Sequence, residues 1–275
     1  MSALTEDVWK SVPDEALFRR MQTGLGYDRD AVVETAKVRF ITEPGREVTQ
    51  RLVDVDPSDI DGGQQVRTIP KYRGRKNYSG WLWMATASRT VPYESLLERT
   101  RILIADYDTS VVGVTSQGIE LTGSADDGKA VSRYPDLLLL RRDAPPLVVD
   151  VTSRDRLHKP KRVASFTWTG AAMTGAGWEY EVWCDADRTA LANLTLLSGY
   201  RRSSVIALDV VADIMSAEPA GTLQEIEDAL ALRHRRMDVV PAVRYAMWHG
   251  VLDFDIGQLI DTDTELAYAG SRHRE

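Results

Sequence analysis

The chain has 275 residues, 43% of them hydrophobic, and a formal net charge of −7. That supplies a core for one large or two modest domains and excludes a disordered tail, while the acidic balance argues against bulk coating of nucleic acid, which depends on neutralising phosphates with Lys and Arg. No apolar run approaches the ~20 residues that cross a bilayer, the start MSALTEDVWK lacks the pattern of a secretion signal, and the lone Cys184 excludes a disulfide framework. His158, His234, His249 and His273 show no metal-ligand spacing. A soluble protein of the reducing cytoplasm, with no membrane partner, is expected.

Residues 1–66 carry the weakest pattern, and Asp54, Asp56, Asp59 and Asp61 mark a polar stretch ending in Gly62-Gly63 that reads as surface. A basic bunch follows, Lys71, Arg73, Arg75 and Lys76, just ahead of Trp81 and Trp83. From Tyr93 the apolar residues recur at i, i+3, i+4 and i+7, which predicts an amphipathic helix with Pro92 near its start and Glu94 and Glu98 on one face. Residues 110–116 read as a strand, with 118–121 continuing the extended path. Asp126-Asp127-Gly128 is a turn. Residues 134–140 and 147–151 are nearly continuous apolar runs, as in strands covered on both faces. A helix over 162–176 and a strand over 179–184 complete an α/β layer arrangement.

After Tyr200 the pattern changes to helices and a short hairpin. A helix is predicted over 203–215, and a second begins at Thr222-Leu-Gln-Glu225, a capping box in which threonine and glutamate satisfy free amides. A third starts near Asp238, tolerates Pro241 in its first turn and stops at Gly250. Residues 251–256 and 264–268 pair as a hairpin. Three helices and a β-wing describe a winged helix; a helical cap on the preceding domain is the alternative. The division is therefore 1–66 without an assigned role, 67–199 as the α/β domain and 200–275 as the winged-helix-like domain.

Three acids punctuate the readable part. Glu98 lies on the helix, Asp136 enters one apolar strand and Asp150 leaves the next, fourteen positions later. Hard oxygen ligands on neighbouring strand ends suit magnesium, which is held by a few carboxylates plus water and substrate phosphate and can relieve charge in phosphodiester hydrolysis. Each acid also has an ordinary explanation: a helix glutamate faces solvent, and an aspartate after Pro135 begins a strand. Asp150 is harder to dismiss, because an acid among Val148, Val149 and Val151 needs a partner, a metal or a task. Basic clusters at Lys71–Lys76, Arg154–Arg162 and Arg233–Arg236 read as DNA contacts or as solvated loops.

Taken together, Tyr93 to Glu98, Asp108 to Val112, Ser116-Gln117, Tyr134-Pro135-Asp136 and Val149-Asp150-Val151 resemble the PD-(D/E)xK nuclease superfamily. The likeness is closest to the TnsA-type endonuclease subunit of heteromeric cut-and-paste transposons, and it spans about residues 67–268. It implies a restriction-endonuclease-like central mixed sheet flanked by helices, followed by a winged helix. It also implies Mg²⁺ (or Mn²⁺) on Glu98, Asp136 and Asp150, and cleavage of the 5′ ends of transposon DNA beside a DDE-type transposase and a AAA+ ATPase regulator. The pattern's lysine is replaced by Thr152. Lys159, Arg154 or Lys161 then stands in for it, metal alone suffices, or the domain is a silent scaffold between DNA and its partners. A winged-helix transcription regulator is a further alternative. Lys71, Arg73, Arg75, Lys76, Arg154 and Lys161 are the expected DNA contacts.

Overall fold

The computed structural model describes residues 7–9, 14–67 and 78–270. They fall into two compact units. One runs to Asp106 and resumes as Ser110–Asp185; the other takes Asp7–Trp9, Tyr107–Thr109 and everything from Ala186 onward.

The larger unit begins with two capped helices. Asp14 accepts from the Leu17 amide and starts α1 (Glu15–Thr23), and Asp28 caps α2 (Arg29–Thr35). They are followed by β1 (Lys37–Ile41), β2 (Glu47–Arg51), the ribbon β3 (Gly80–Met84) and β4 (Arg89–Tyr93), and α3 (Leu96–Tyr107). Then come β5 (Val111–Ser116), β6 (Ile119–Ser124), β7 (Ala130–Arg133), β8 (Leu137–Arg141) and β9 (Leu147–Val151), the short α4 (Arg154–Leu157), α5 (Pro160–Gly175) and β10 (Glu179–Trp183).

Two four-stranded sheets organise these elements. One is antiparallel throughout, in the order β2-β1-β6-β7; the other is mixed, in the order β10-β9-β8-β5, with only β9 and β10 parallel. Parallel β9 and β10 need a crossover, which α5 provides. A single core joins the layers: Met21 from α1, Phe40 from β1, Leu121 from β6, Val148 from β9 and Trp168 from α5 are all buried in it. The class is α/β with a mixed sheet and flanking helices, as the alternation of patterns predicted.

Three features depart from the sequence reading. Residues 14–66, left without a role by the sequence, supply α1, α2, β1 and β2 with Met21, Val38, Leu52 and Ile60 fully buried, while Asp54, Asp56 and Asp59 of the polar stretch are exposed. Pro92 lies in β4 opposite Trp81, so the helix starts later, at Leu96. A two-stranded ribbon has free edges where a proline costs no ladder bond. Residues 119–124 do not prolong β5: Gln117 turns the chain with φ +49°, and β6 joins the other sheet.

In the smaller unit, α6 (Arg188–Ser198) is capped by Asp187, and α7 (Leu208–Ala217) ends in a left-handed Glu218. Next are β11 (Ala220–Thr222), α8 (Leu223–Ala231), α9 (Arg236–Trp248), β12 (Leu252–Asp253) and β13 (Glu265–Tyr268). The capping box at Thr222 and Glu225 is formed, and the hairpin strands pair antiparallel with β11 added, in the order β11-β13-β12. The first helix starts at Leu208 rather than 203, and α9 starts at Arg236, which puts Pro241 in its second turn. The proline removes the amide that would reach Met237, an exposed residue whose carbonyl water can serve. Asn193 in α6 holds the β12–β13 loop, donating to the carbonyls of Ile256 and Gln258 (2.8 and 2.6 Å) and accepting from the Ile260 amide (3.2 Å).

Close approach fixes α1 against α5. A Cβ on Gly170 would stand 2.0 Å from the Met21 carbonyl oxygen, and Gly24, at φ +69°, lies against Ala171. Gly170→Ala is expected to cost roughly 1–3 kcal/mol through overpacking. Its thermal midpoint, measured by circular dichroism, falls by several degrees. An unchanged midpoint would show that the two helices separate freely and that residues 14–66 do not support the sheet.

Candidate acidic site

The register of the mixed sheet decides where the acids go. Leu137 pairs with Val149 in the antiparallel β8–β9 ladder, so one step further out Asp136 stands across from Asp150. Asp136 is tied down twice: its carbonyl accepts from the Gln117 amide at the end of β5 (2.9 Å), and its Oδ2 accepts from the Val151 amide (2.6 Å). Asp150 is buried, and its Oδ2 receives both the Arg133 guanidinium (2.8 Å) and the Tyr180 hydroxyl (2.6 Å).

Glu98 reaches the same neighbourhood from the first turn of α3. Its two oxygens accept from the Glu94 amide (2.8 Å) and the Ser95 hydroxyl (2.9 Å), while Ser95 Oγ accepts from the Glu98 amide (3.2 Å). This local motif resembles a capping box and explains much of why a glutamate stands there. The helix itself is pinned to β10 by Arg101, which donates through Nη2 and Nε to Glu181 (2.6 and 3.2 Å) in a buried ion pair.

The three acids feel one another. Asp136 keeps some surface by area, but its carboxyl is closely surrounded, and burial pushes its pKa well above the usual carboxylate range; repulsion from Asp150 and then Glu98 adds to the rise. The Val151 amide and Arg133 oppose it. Tyr180 is likewise pushed up, first by burial and then by Asp150, so its phenol stays protonated and donates. Among the described residues no group of three or more His, Cys, Asp or Glu is arranged as a ready metal cage.

The basic residues proposed from sequence distribute differently. Lys71, Arg73, Arg75 and Lys76 lie outside the described residues. Arg154 pairs with Asp185 (3.2 Å), and Lys159 and Lys161 are exposed at the start of α5. Among the described residues Arg133, at the end of β7, acts on Asp136 and also stacks over Phe166 at 5.3 Å. Sequence reasoning passed over it, although a basic residue three positions before Asp136 was in plain view. The Arg233–Arg236 cluster is largely neutralised by its own unit: His234 meets Asp213, Arg235 meets Asp238, and Arg236 meets Asp228.

Thr152 is buried; its amide donates to the Trp183 carbonyl (2.9 Å), and its hydroxyl has no partner among the described residues. Ser116 and Gln117, at the end of β5, likewise carry buried side-chain oxygens without a partner among the described residues. Gln117 adds a left-handed backbone that only its two main-chain bonds, to Asp136 and from Val66, hold in place. A polar rim with open hydrogen-bonding capacity thus adjoins the acids. No protein-family model matches the chain, and no curated protein matches it in sequence.

A raised pKa in the folded state means that the native protein holds a proton the unfolded chain releases, so Asp136 favours folding below about pH 3.9 and costs stability as pH rises above it. Asp136→Asn keeps an acceptor for Val151 and removes the cost. At pH 7.5 without divalent metal its thermal midpoint should rise by roughly 2–4 °C, and the gain should vanish near pH 3.5. A lower midpoint at pH 7.5 would mean that the carboxylate is stabilised there.

Proposed function

We propose that the chain is a metal-dependent DNA endonuclease subunit of the TnsA type, hydrolysing phosphodiester bonds at the 5′ ends of a transposon. The observation that carries this reading is the convergence of Asp136 and Asp150 across neighbouring strand ends, with Glu98 close enough to raise Asp136 further. The order of elements around them supports it: a helix bearing Glu98, then β5, the β6–β7 excursion into the other sheet, β8 just after Asp136 and β9 bearing Asp150, a crossover helix and a parallel strand. The smaller unit, with its helices and three-stranded sheet, is read as a winged helix that contacts DNA or a partner.

The residues fit a hard divalent cation such as Mg²⁺, with Mn²⁺ as a substitute. Magnesium does not require a protein cage; one or two carboxylates suffice, completed by water and substrate phosphate. Asp136 and Asp150 would hold it, with Glu98 nearby, and a cation there would oppose the burial and the repulsion that raise the Asp136 pKa. When bound, the ion supplies positive charge against the phosphate as it passes through the transition state. The chain's own part is to fix the acids by the β8–β9 register, to keep Arg133 beside them, and to offer the Thr152 hydroxyl to a phosphate oxygen or water. With a net charge of −7 the subunit depends on others to reach DNA. A DDE-type transposase and a AAA+ ATPase are the partners proposed.

One observation favours a second reading, a silent scaffold between DNA and those partners: Asp150 is already engaged by Arg133 and Tyr180, and no lysine follows it. Calorimetric titration with Mg²⁺ or Mn²⁺ separates the two. The endonuclease binds at least one ion and loses that binding in Asp136→Asn, whereas absence of binding leaves only the scaffold. Nicking of transposon-end DNA in the presence of the transposase should disappear in Glu98→Gln, Asp136→Asn and Asp150→Asn. These replacements preserve the acceptors for the helix start, Val151 and Tyr180; persistent nicking in all three would sink the assignment.

Thr152→Val removes a buried hydroxyl that has no partner among the described residues, so stability should hold or rise, by about 1 kcal/mol. The nicking rate should nevertheless drop. An unchanged rate would show that the hydroxyl has no part in cleavage.

A further inference from the structure

A cavity of about 290 Å³ opens beside the acids in the larger unit, between the β3–β4 ribbon, the Gly62–Gln65 segment and the end of β5. Both of its walls run into the acidic site. β4 leads through Pro92 to Glu94 and Glu98, and β5 ends at Ser116, next to the Gln117 amide that bonds Asp136.

The lining has an unusual division of labour. Trp81 contributes an indole that is 67% exposed, although a tryptophan is normally covered. Deeper in, Ser116 Oγ and Gln65 Nε2 are buried without a hydrogen-bond partner among the described residues, and Ser116 as a whole is 4% exposed. Orphaned polar atoms of that kind cost free energy unless a ligand completes them. The lining's charged residue, Arg89, is already answered by Asp61 and by the Val114 carbonyl (3.1 Å). The cavity therefore offers no uncompensated cation for a phosphate. It offers an aromatic face, an amide donor and a hydroxyl that donates or accepts.

Those features match a planar, neutral, hydrogen-bonding ring. We propose that the cavity receives a single nucleobase swung out of the DNA, stacked on Trp81 and read at its polar edge by Gln65 and Ser116; this rests on the reading of the unit as one that handles DNA. Enzymes that engage an extruded base combine stacking with bonds to its pairing edge and bind best where the base is already unpaired. An extruded base held here would anchor the strand whose backbone passes the acids, setting the position of the cut relative to the pocket.

The test uses the full chain in EDTA, so that binding is read apart from cleavage. The probes are a duplex with one unpaired thymine and the same duplex fully paired. The bulged duplex should bind about tenfold tighter. Trp81→Ala should abolish that preference, Trp81→Phe should keep most of it, and Ser116→Ala should reduce it. The exposed Trp81 can be truncated without hollowing the core, and unchanged melting of the variant verifies that. Equal affinity for both duplexes, or a preference that survives in Trp81→Ala, overturns the proposal. So does free thymidine that displaces the bulged duplex at matching concentration, since the ligand would then be a free nucleoside. Nicking with Mg²⁺ and the transposase is measured in parallel. Nicking without a preference removes the base pocket alone; preference without nicking keeps the pocket and removes the hydrolytic reading; binding to neither duplex removes the base pocket, and absence of nicking as well removes both.

Discussion

Two carboxylates facing each other across neighbouring strands repel, and the larger unit is organised around holding them there. Leu137, Leu138 and Leu139 are buried on both faces of β8, so burial alone does not choose its register; the Leu137–Val149 pairing is accompanied by the bonds that tie Asp136 to the Gln117 and Val151 amides. That register brings Asp136 opposite Asp150. Burial then makes the repulsion expensive, which is why Asp136 is driven toward its protonated form.

What offsets the repulsion comes from far away in the chain. Arg133 belongs to β7, an edge strand of the other sheet, and that sheet exists only because β1 and β2 extend it on the far side of β6. Residues 14–66 therefore hold the arginine that neutralises Asp150, through α1 and α2 packed on α5 and through β1 in the core. On the opposite side of the mixed sheet, the buried Arg101–Glu181 pair fixes α3, and with it Glu98 one turn earlier. Breaking one partner of such a pair strands a charge in the interior, so its geometry is strongly held.

The same arrangement gives the site two characters. Without a cation it is internally balanced, each acid serving an amide, a hydroxyl or an arginine. With a cation, the carboxylate oxygens not used in those bonds become available to it, and the Thr152 hydroxyl, without a partner among the described residues, lies two positions beyond Asp150. A hydroxyl directs a hydrogen bond but brings no charge. In the proposed endonuclease that places more of the electrostatic burden on Arg133 and on the metal.

The sequence by itself determined the α/β class, the apolar strands β8 and β9, the helix bearing Glu98, the capping box at Thr222 and the positions of the three acids. All are local: a run of leucines or a threonine three residues before a glutamate shows its structure within one short window. Elements without such windows were missed. The pattern of α6 was overlooked although Asp187 caps it and Ala190, Leu194 and Leu197 form its buried stripe. The N-terminal segment looked featureless because its strands are short and its partners lie some eighty residues away. Only the tertiary structure decided that Arg133 pairs with Asp150, and that Ser116 and Gln65 line one cavity with Trp81. Those relations depend on sheet order and on side-chain reach across separate elements, which no spacing along the chain encodes.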